Sequence, residues 1–529
     1  MSSLAKDERS SADEKQIQAS QLEDADISSA TTPPYELNAD EERKLWRKVD
    51  MRLMPIMSLM YLLSFLDRGN IGNAKLEGIT TQLNLTGNKY NIALTMFFIP
   101  YCIFECPAKY ISLCHPHLFW KFIYLFFVIQ PCSESIQTIQ WFAANRWLPG
   151  IMILWGLIMT LMGLVKTYPQ LVGVRVCLGI AEAGLFPGVV YYLSLWYPRH
   201  MLQYRVGLFF GAATLAGAFS GLLAFGIGYM GGTKGLEGWS WIFILEGIAT
   251  IVVAVAALFI LVDFPDTAKF LTQEERAFII WRKKYDNSSV GEEENFAPRH
   301  VWAAFADWQV WLHILVYMSI VAPLYGITLF LPTIIKDFGY DTPISQLLTV
   351  PPYVVATIVL LVFAHFSDKL KIRSPFILAG LVMCLIGFAI NISNAPSGVK
   401  YFGTFFCVAG SYAAFPGIVC WLGNNLAGQY KRGVGMALHI GIGNLSGAIA
   451  SNIYRTQDSP RFILGHGLEL MFVGIGFITL PIVLLLYKRI NHQRDEVERL
   501  AHERGEKLQY SAQELRELGD RAPDFRYTY

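Results

Sequence analysis

Charged residues are scarce in this chain and nearly balanced in sign. Asp, Glu, Lys and Arg make up 16% of the 529 residues, against about 25% in an average soluble domain, whereas hydrophobic residues make up 53%. The 43 basic and 42 acidic side chains leave a formal net charge of +1, so no overall field attracts nucleic acid. This composition argues against an ordinary soluble enzyme and favours a protein whose apolar surface faces lipid.

Motifs for catalysis and metal binding are missing as well. We find no H-E-x-x-H, G-x-S-x-G or Walker A pattern, and Gly226-Ile-Gly-Tyr-Met-Gly231 matches G-x-G-x-x-G only inside a long apolar run. The eight cysteines have neither metal spacing nor the pattern of a secreted disulfide framework, so we interpret them as reduced and buried. The sequence therefore predicts no enzyme and no metal site, and it leaves an integral-membrane enzyme without a recognisable centre.

Long apolar runs recur from Leu53 onward. About 20 apolar residues in a helix cross the roughly 30 Å hydrocarbon core of a bilayer. Twelve such runs predict an all-α integral membrane protein with six runs before a charged central loop and six after it. They lie near residues 53–74, 90–109, 148–165, 168–196, 206–230, 239–262, 309–335, 345–366, 375–392, 399–421, 433–454 and 466–487.

Lys and Arg residues concentrate in the short loops on one side of these runs, which predicts that this side is cytosolic and holds both termini. The predicted parts are a disordered tail (1–45), a six-helix half (46–262), a cytosolic central loop (263–305), a second six-helix half (306–487) and a second cytosolic tail (488–529). Within the central loop, Thr272-Gln-Glu-Glu275 is a capping-box pattern, so we expect a short amphipathic helix there.

An internal repeat supports the division into halves. Phe186-Pro187-Gly188 and Phe415-Pro416-Gly417 lie in corresponding runs, 415 − 186 = 229 residues apart. The alternative is chance recurrence of a Pro-Gly pair. Two six-helix repeats related by an axis along the membrane normal are the arrangement of the major facilitator fold, with the substrate site between the halves near the midplane.

Charges inside the apolar runs are the candidate functional residues, because a charge near the bilayer centre is costly. The first run carries Asp67 and Arg68, which point about 100° apart on a helix, so Arg68 needs another anion. The fourth carries Arg175 and Glu182, seven residues apart and therefore on one helix face.

These residue types suit transport of an anion with a proton. An arginine fork matches a carboxylate, and a buried glutamate can load and release a proton. An ion-pair network that only locks helices together is the alternative. Glu105 and Glu246 are weaker candidates, which we interpret as structural counter-charges.

Three long motifs resemble the fungal branch of the anion:cation symporter family within the major facilitator superfamily, to which allantoate and nicotinate permeases belong. The motifs are Tyr61-Leu-Leu-Ser-Phe-Leu-Asp67-Arg68-Gly-Asn70, Arg175-x-x-x-Gly-x-x-Glu182-Ala-Gly-Leu-Phe-Pro187-Gly188 and Ser194-Leu-Trp196-Tyr-Pro198-Arg199. The resemblance covers about residues 45–490. It implies a monomeric plasma-membrane transporter that couples a proton, with no other cofactor, to uptake of a small organic anion such as nicotinate, allantoate or pantothenate.

The resemblance also implies roles for single residues. Substrate contact falls to Arg68, Arg175 and Asn70, and proton coupling to Glu182 and Asp67. Gate or structural roles fall to Pro187, Gly188, Asp368, Arg373, Glu105 and Glu246. Within the transporter class, a facilitator without proton coupling is the nearest variant. The alternative from another class is a nutrient sensor that binds the same anion and signals through its tails.

One segment departs from the family pattern. Family members run from Phe-Glu-x-Pro to Arg-Trp-Leu-Pro-Gly through a short basic loop, whereas about 38 residues separate Phe104-Glu105-Cys-Pro107 from Arg146-Trp147-Leu-Pro149-Gly150 here. The apolar part of the extra segment is too short to span a bilayer. We therefore expect an interfacial or disordered insertion at about 110–145, and translated intron sequence is the second hypothesis.

Overall fold

A computed structural model describes residues 37–114, 144–262, 264–284, 298–504, 510, 514 and 518–529. All regular structure in these ranges is helical, and they contain no β-strand. Most of the predicted insertion at 110–145 lies outside the described residues, as does most of the tail predicted to be disordered. The all-α prediction is confirmed.

Seventeen α-helices occur in the described ranges, and they group as the predicted halves and central loop. The first half contains α1 (Ala39–Leu76), α2 (Ile79–Gln82), α3 (Lys89–Cys114), α4 (Ala144–Met162), α5 (Tyr168–Glu182), α6 (Leu185–Trp196), α7 (Arg199–Gly228) and α8 (Gly238–Ile260). The central loop contains α9 (Gln273–Lys284) and α10 (Pro298–Phe305). The second half contains α11 (Trp308–Lys336), α12 (Thr342–Leu347), α13 (Val350–Leu370), α14 (Ser374–Ile392), α15 (Ser397–Asn425), α16 (Gln429–Ile453) and α17 (Ile463–Glu503).

Most of the predicted membrane-crossing runs form single helices. Nine helical spans within the described ranges are long and apolar enough to cross a bilayer, and two shorter apolar helices accompany them. The fourth run is divided between α5 and α6 at Ala183 and Gly184. Pro187 has no backbone N–H to give to the carbonyl of Ala183, four residues earlier, which explains why the helix is interrupted there.

The two halves use the same tie between their first and fifth crossing helices, at the end predicted to be cytosolic, which we call the inner end. Asp50 on α1 pairs with Arg205 on α7 through two contacts of 2.7 and 2.8 Å. Asp307, the N-cap of α11, pairs with Lys431 on α16 at 2.6 Å. This correspondence supports the internal repeat.

Helix α9 begins as its capping box predicts. The Glu275 carboxylate accepts a hydrogen bond from the Thr272 backbone N–H at 2.8 Å, and the Thr272 hydroxyl accepts one from the Glu275 N–H at 3.2 Å. The same carboxylate pairs with Lys48 on α1 at 2.8 Å. The capping box therefore starts the helix, and its glutamate also ties the central loop to the first half.

Helical structure extends into both predicted tails, and the expectation of disorder is wrong for residues 39–45. Residues 39–45 are helical, because α1 already begins at Ala39, where the Glu41 carboxylate accepts the Asn38 backbone N–H at 3.0 Å. At the other end, α17 continues to Glu503, well past the predicted boundary at 488. A cap and three acidic residues in the first turn stabilise the start of α1, because negative charge at a helix N-terminus interacts favourably with the helix dipole.

The last eleven residues, within the predicted second cytosolic tail, pack against the second half of the protein. The Tyr527 ring stacks on Tyr487 of α17 with centroids 4.6 Å apart, and the Thr528 carbonyl accepts a hydrogen bond from the Trp421 indole at 2.9 Å. Asp520 pairs with Lys431 at 2.6 Å. We call residues 519–529 the C-terminal strap, because they lie across the inner ends of helices in the second half.

The halves touch on both sides of the centre. At the outer end, Gln346 donates to the Glu77 carboxylate at 2.9 Å, and a Cβ on Gly72 would lie 2.7 Å from the Leu329 carbonyl oxygen. Toward the inner end, Phe210 and Phe415 stack with centroids 4.0 Å apart. The structure is therefore closed around the middle of the bundle.

Candidate functional site

An ion pair between α1 and α5 forms the centre of the candidate site. The Arg68 Nε lies 2.8 Å from Glu182 Oε1, and both side chains are buried, with 6% and 1% exposed. The Ser64 hydroxyl donates to the same carboxylate oxygen. The prediction that Arg68 needs an anion other than Asp67 is confirmed, and Glu182 is that anion.

The second oxygen of the Glu182 carboxylate differs from Oε1 in its contacts. Oε2 is buried and has no hydrogen-bond partner within the described part of the chain. A proton can bind there without displacing either Arg68 or Ser64 from Oε1. Oε2 is therefore the atom of Glu182 that can accept a proton while the contacts at Oε1 stay in place.

Aromatic rings and a tyrosine of the second half complete the surroundings of Arg68. Its guanidinium carbon lies 4.6 Å from the centre of the Tyr101 ring and 5.2 Å from that of Phe65. Its Nη1 donates to the Tyr325 hydroxyl on α11 at 3.2 Å. Arg68 thus contacts both halves of the protein.

A cavity of about 10 Å³ adjoins Arg68 at the boundary between the halves, with room for about one water molecule. Phe186 and Phe415, the aromatic residues of the repeated motif, both line it, and their ring centroids lie 6.5 Å apart. The lining comprises Tyr61, Phe65, Arg68, Tyr101, Phe186, Tyr317, Val321, Leu324, Tyr325, Phe415, Ile440 and Asn444. An organic anion can enter only if the halves separate.

Asp67 and Asn70 face away from this cavity. The Asp67 carboxylate accepts hydrogen bonds from Trp155 on α4 at 2.9 Å and Thr250 on α8 at 3.4 Å. Asn70 accepts one from Ser220 on α7 at 2.5 Å. On a helix these residues point about 100° and 200° away from Arg68, so the structure does not bring them to the same cavity.

Arg175 lies on α5 with Glu182, as the spacing predicts, and is 2% exposed. Its Nε and Nη2 atoms have no hydrogen-bond partner in the described ranges. The titratable groups that interact with it electrostatically are Tyr90, Glu182 and Asp67. It is a buried cation with unused donors.

The other candidates divide among several situations. Glu246 is 3% exposed, and neither of its carboxylate oxygens has a partner within the described residues, so the expectation of a counter-charge in an ion pair is wrong for it. Gly188 lets α6 approach α4, since a Cβ there would lie 2.8 Å from Leu148. The side chains of Glu105 and Pro187 lie outside the described part of the structure.

Asp368 and Arg373, to which the resemblance assigns a gate or structural role, form an ion pair. Arg373 Nη2 lies 3.0 Å from Asp368 Oδ1, which joins the end of α13 to the start of α14. Arg373 also donates to Ser367 at 2.8 Å, and its backbone N–H donates to the Tyr529 carbonyl of the C-terminal strap at 2.6 Å. The pair therefore belongs to the inner end of the second half.

Several residues of the site escaped prediction. Ser64, Tyr101, Tyr325 and Asn444 lie next to Arg68 or line its cavity, but uncharged polar residues and tyrosines are common in apolar runs and gave no signal. Glu469 on α17 is fully buried in an apolar run and could have been found by the argument that found Glu182. No group of three or more His, Cys, Asp or Glu suited to a metal occurs among the described residues.

Comparison with known proteins agrees with this arrangement. The family model of the Major Facilitator Superfamily matches residues 57–451. An uncharacterised transporter of Schizosaccharomyces pombe is 32% identical over 99% of this chain and 98% of its own. The high-affinity nicotinic acid transporter of Saccharomyces cerevisiae is 30% identical over 98% of this chain and 89% of its own.

Solved structures show the same fold. The proton:xylose symporter XylE aligns with a TM-score of 0.55 at 16% identity, covering 82% of this chain and 96% of its own. A bacterial homologue of the lysosomal transporter Spinster, in an inward-facing conformation, also has a TM-score of 0.55, at 14% identity, with 82% and 96% covered. The chain is therefore a multi-pass membrane transporter, not an enzyme, and it belongs to the major facilitator superfamily.

Proposed function

We propose that this transporter couples the entry of protons to the uptake of a small organic anion, and that a planar aromatic monocarboxylate is its substrate, with nicotinate the first candidate. The observation that carries the proposal is the buried pair of Arg68 and Glu182, 2.8 Å apart beside a cavity that both halves line. The nicotinic acid transporter of Saccharomyces cerevisiae, similar along nearly the whole chain, supports the choice of substrate.

The coupling follows from competition for one guanidinium. When Glu182 is ionised, its carboxylate holds Arg68, and a second carboxylate would add an unpaired buried charge. A proton on the free Oε2 atom neutralises Glu182 and leaves Arg68 as a cation without a full counter-charge. The substrate carboxylate then takes that place as a fork-to-fork pair.

The aromatic lining supports a flat substrate. Tyr101, Tyr325 and Phe415 stand around the cavity beside Arg68, and ring-to-ring packing stabilises a planar heterocycle by about 0.5–1.5 kcal/mol per pair beyond its burial. Allantoate and pantothenate lack an aromatic ring and cannot use these contacts in the same way. The proposal therefore ranks nicotinate above them.

Arg175 takes a second role in the proposal. Its unpartnered donors make it a cation that attracts the anion into the bundle, while Asp67, with one oxygen unpartnered among the described residues, moderates that charge. Asn70 is a structural contact to α7 in this proposal.

The proposal places the transporter in the plasma membrane, where whole-cell uptake can test it. Cells that express the chain are given labelled nicotinate, benzoate, allantoate and pantothenate at about pH 5 and about pH 7.5. The variants are Arg68→Lys, which keeps the charge but loses the fork, and Arg175→Lys. Lys166→Ala, in the exposed loop before α5, is the matched control.

The expected result is uptake of nicotinate and benzoate that is stronger at the lower pH. Arg68→Lys should lower it at least about tenfold at equal surface expression, while Lys166→Ala leaves it unchanged. Wild-type uptake by Arg68→Lys would contradict the proposed substrate site. Uptake of allantoate or pantothenate alone would contradict the aromatic preference, and uptake that ignores pH would indicate a facilitator without proton coupling.

A nutrient sensor remains the alternative from another class. It requires tails that are free to bind a signalling partner, and the C-terminal strap instead binds the second half of its own chain through Tyr527, Thr528 and Asp520. This arrangement favours the transporter.

A further inference from the structure

A second buried acid lies in the half of the protein that the proposed mechanism has not used. Glu469 on α17 is fully buried, and neither carboxylate oxygen has a hydrogen-bond partner within the described part of the chain. Oε1 lies against Gly326 on α11, where any Cβ would overlap with it. The glycine therefore leaves a space that the carboxyl group fills.

Among the described residues, no group near Glu469 would hold it ionised. The titratable groups that face it are the thiols of Cys384 on α14 and Cys407 on α15, and the phenol of Tyr454 at the end of α16. His466, one turn earlier on α17, is engaged with the Tyr454 hydroxyl at 3.0 Å. α11 contributes the bare backbone of Gly326 at this point.

An ionised carboxylate without a donor or a cation is among the most costly groups to bury. In the closed arrangement seen here, Glu469 is therefore in its neutral form. It can ionise only when α11 moves away from α17 and water reaches the carboxyl group.

The position of α11 links this event to the substrate cavity. Tyr325, which precedes Gly326, accepts the hydrogen bond from Arg68 across the boundary of the halves. Pro323 and Pro332 interrupt the backbone hydrogen bonds on either side of this stretch, so it can move as a short segment. The α11 segment between these prolines thus contacts Arg68 through Tyr325 and Glu469 through Gly326.

We propose that Glu469 is a second proton-binding residue, loaded when the protein closes and emptied when the α11 segment withdraws. This inference rests on the proposed proton-coupled transport. The empty and the loaded protein both close with Glu469 neutral, so its proton crosses in both directions and the cycle keeps one net proton per anion. Glu469 instead makes closure itself depend on pH, because the carboxyl group must be protonated before α11 can pack against it.

The test uses the full-length chain in proteoliposomes, with Glu469→Gln, Glu469→Asp and, as matched control, Glu237→Gln at an exposed outer position. Counterflow of labelled nicotinate or benzoate is measured against pH, with the same pH on both sides of the membrane. Closure with the anion requires protons on both Glu182 and Glu469, so above the ordinary carboxyl pKa the rate should fall about 100-fold per pH unit in the wild type and about tenfold in Glu469→Gln. Glu469→Asp and Glu237→Gln should keep the wild-type slope.

A readout without substrate separates this inference from the proposed function. Hydrogen–deuterium exchange in residues 319–335, corrected for intrinsic rates, should rise with pH in the wild type and lose that dependence in Glu469→Gln. An unchanged pH slope of counterflow in Glu469→Gln would overturn the inference, and so would deuterium exchange in the wild type that does not depend on pH. Absence of transport with any acid, with the exchange result as expected, would overturn the proposed function alone.

Discussion

Replacing Glu182 by Gln separates proton coupling from anion binding. The amide keeps the shape of the side chain but removes the negative charge that lies 2.8 Å from Arg68. Its oxygen can still accept from Ser64. We expect the variant to bind the anion at all pH values and to exchange it across the membrane, but to lose the share of uphill uptake that this proton drives.

The size of the effect follows from the coupled proton. One proton moving down a gradient of two pH units supplies about 2.7 kcal/mol, which corresponds to about a 100-fold accumulation ratio. Glu182→Gln should therefore lower the steady-state accumulation of nicotinate by about that factor at this gradient. Exchange of internal for external nicotinate needs no gradient and should continue.

The variant should also depend on the anion for its stability. Removing one partner of a buried ion pair costs about 3–5 kcal/mol, because the remaining charge is left unpaired. Tyr325 and the Tyr101 ring still surround Arg68, so we expect the lower end of that range. Saturating nicotinate or benzoate should therefore raise the melting temperature of Glu182→Gln by more than that of the wild type.

The assays are uphill uptake, counterflow and thermal unfolding of the purified protein, with Glu237→Gln as the control. A Glu182→Gln protein that accumulates nicotinate as steeply as the wild type would refute competition for Arg68. A folded variant that neither binds nor exchanges the anion would refute it as well, because the mechanism leaves Arg68 available once Glu182 is neutral.

Three further changes test other parts of the structure. Gly221→Ala places a methyl group into the contact of the halves at the outer end, so it should block closure and abolish transport. Cysteine accessibility measures the loss of closure. The control Gly226→Ala, with no atom within 4 Å of the added methyl group, should transport normally. Deleting residues 519–529 should lower the melting temperature, because it removes the buried contacts of the C-terminal strap. Burial raises the pKa of Glu275, but hydrogen bonds, chiefly from Lys48, bring it below its usual range. The stabilisation by the pair of Glu275 and Lys48 is therefore present above the ordinary carboxyl pKa and lost as pH falls through the lowered value. Proteolysis of the central loop should then increase in acid for the wild type. In Glu275→Gln it should depend less on pH.

The crossing helices could be predicted from the sequence because a membrane leaves the backbone few choices. A run of about 20 apolar residues must be helical to satisfy its own hydrogen bonds, so length alone places α11 or α15. Outside the bilayer water satisfies the backbone and the rule no longer applies. The early start of α1 and the C-terminal strap depend on caps and tertiary contacts, and run length carries no information about either.

The site could be predicted only in part, for a related reason. Helical spacing within one run shows that Asp67 cannot neutralise Arg68 and that Arg175 and Glu182 share a face. It does not give the register between runs, so the contact between Arg68 and Tyr325, 257 residues apart, lay beyond it. Glu246 shows the same limit, since its lack of a partner is visible only in the packed structure.

The charge count around Arg68 explains why the proposed coupling can be strict. The empty protein closes with Arg68 and ionised Glu182 paired, a sum of zero. Anion binding without a proton would bury one net negative charge in the closed state, and this state is disfavoured by the cost of an unpaired buried charge. A proton on Glu182 without the anion would leave one net positive charge on Arg68, with the same consequence. In the proposed mechanism, only the empty protein and the protein with both ligands can pass through the closed structure, and the low dielectric of the closed cavity suppresses leak of either ligand alone.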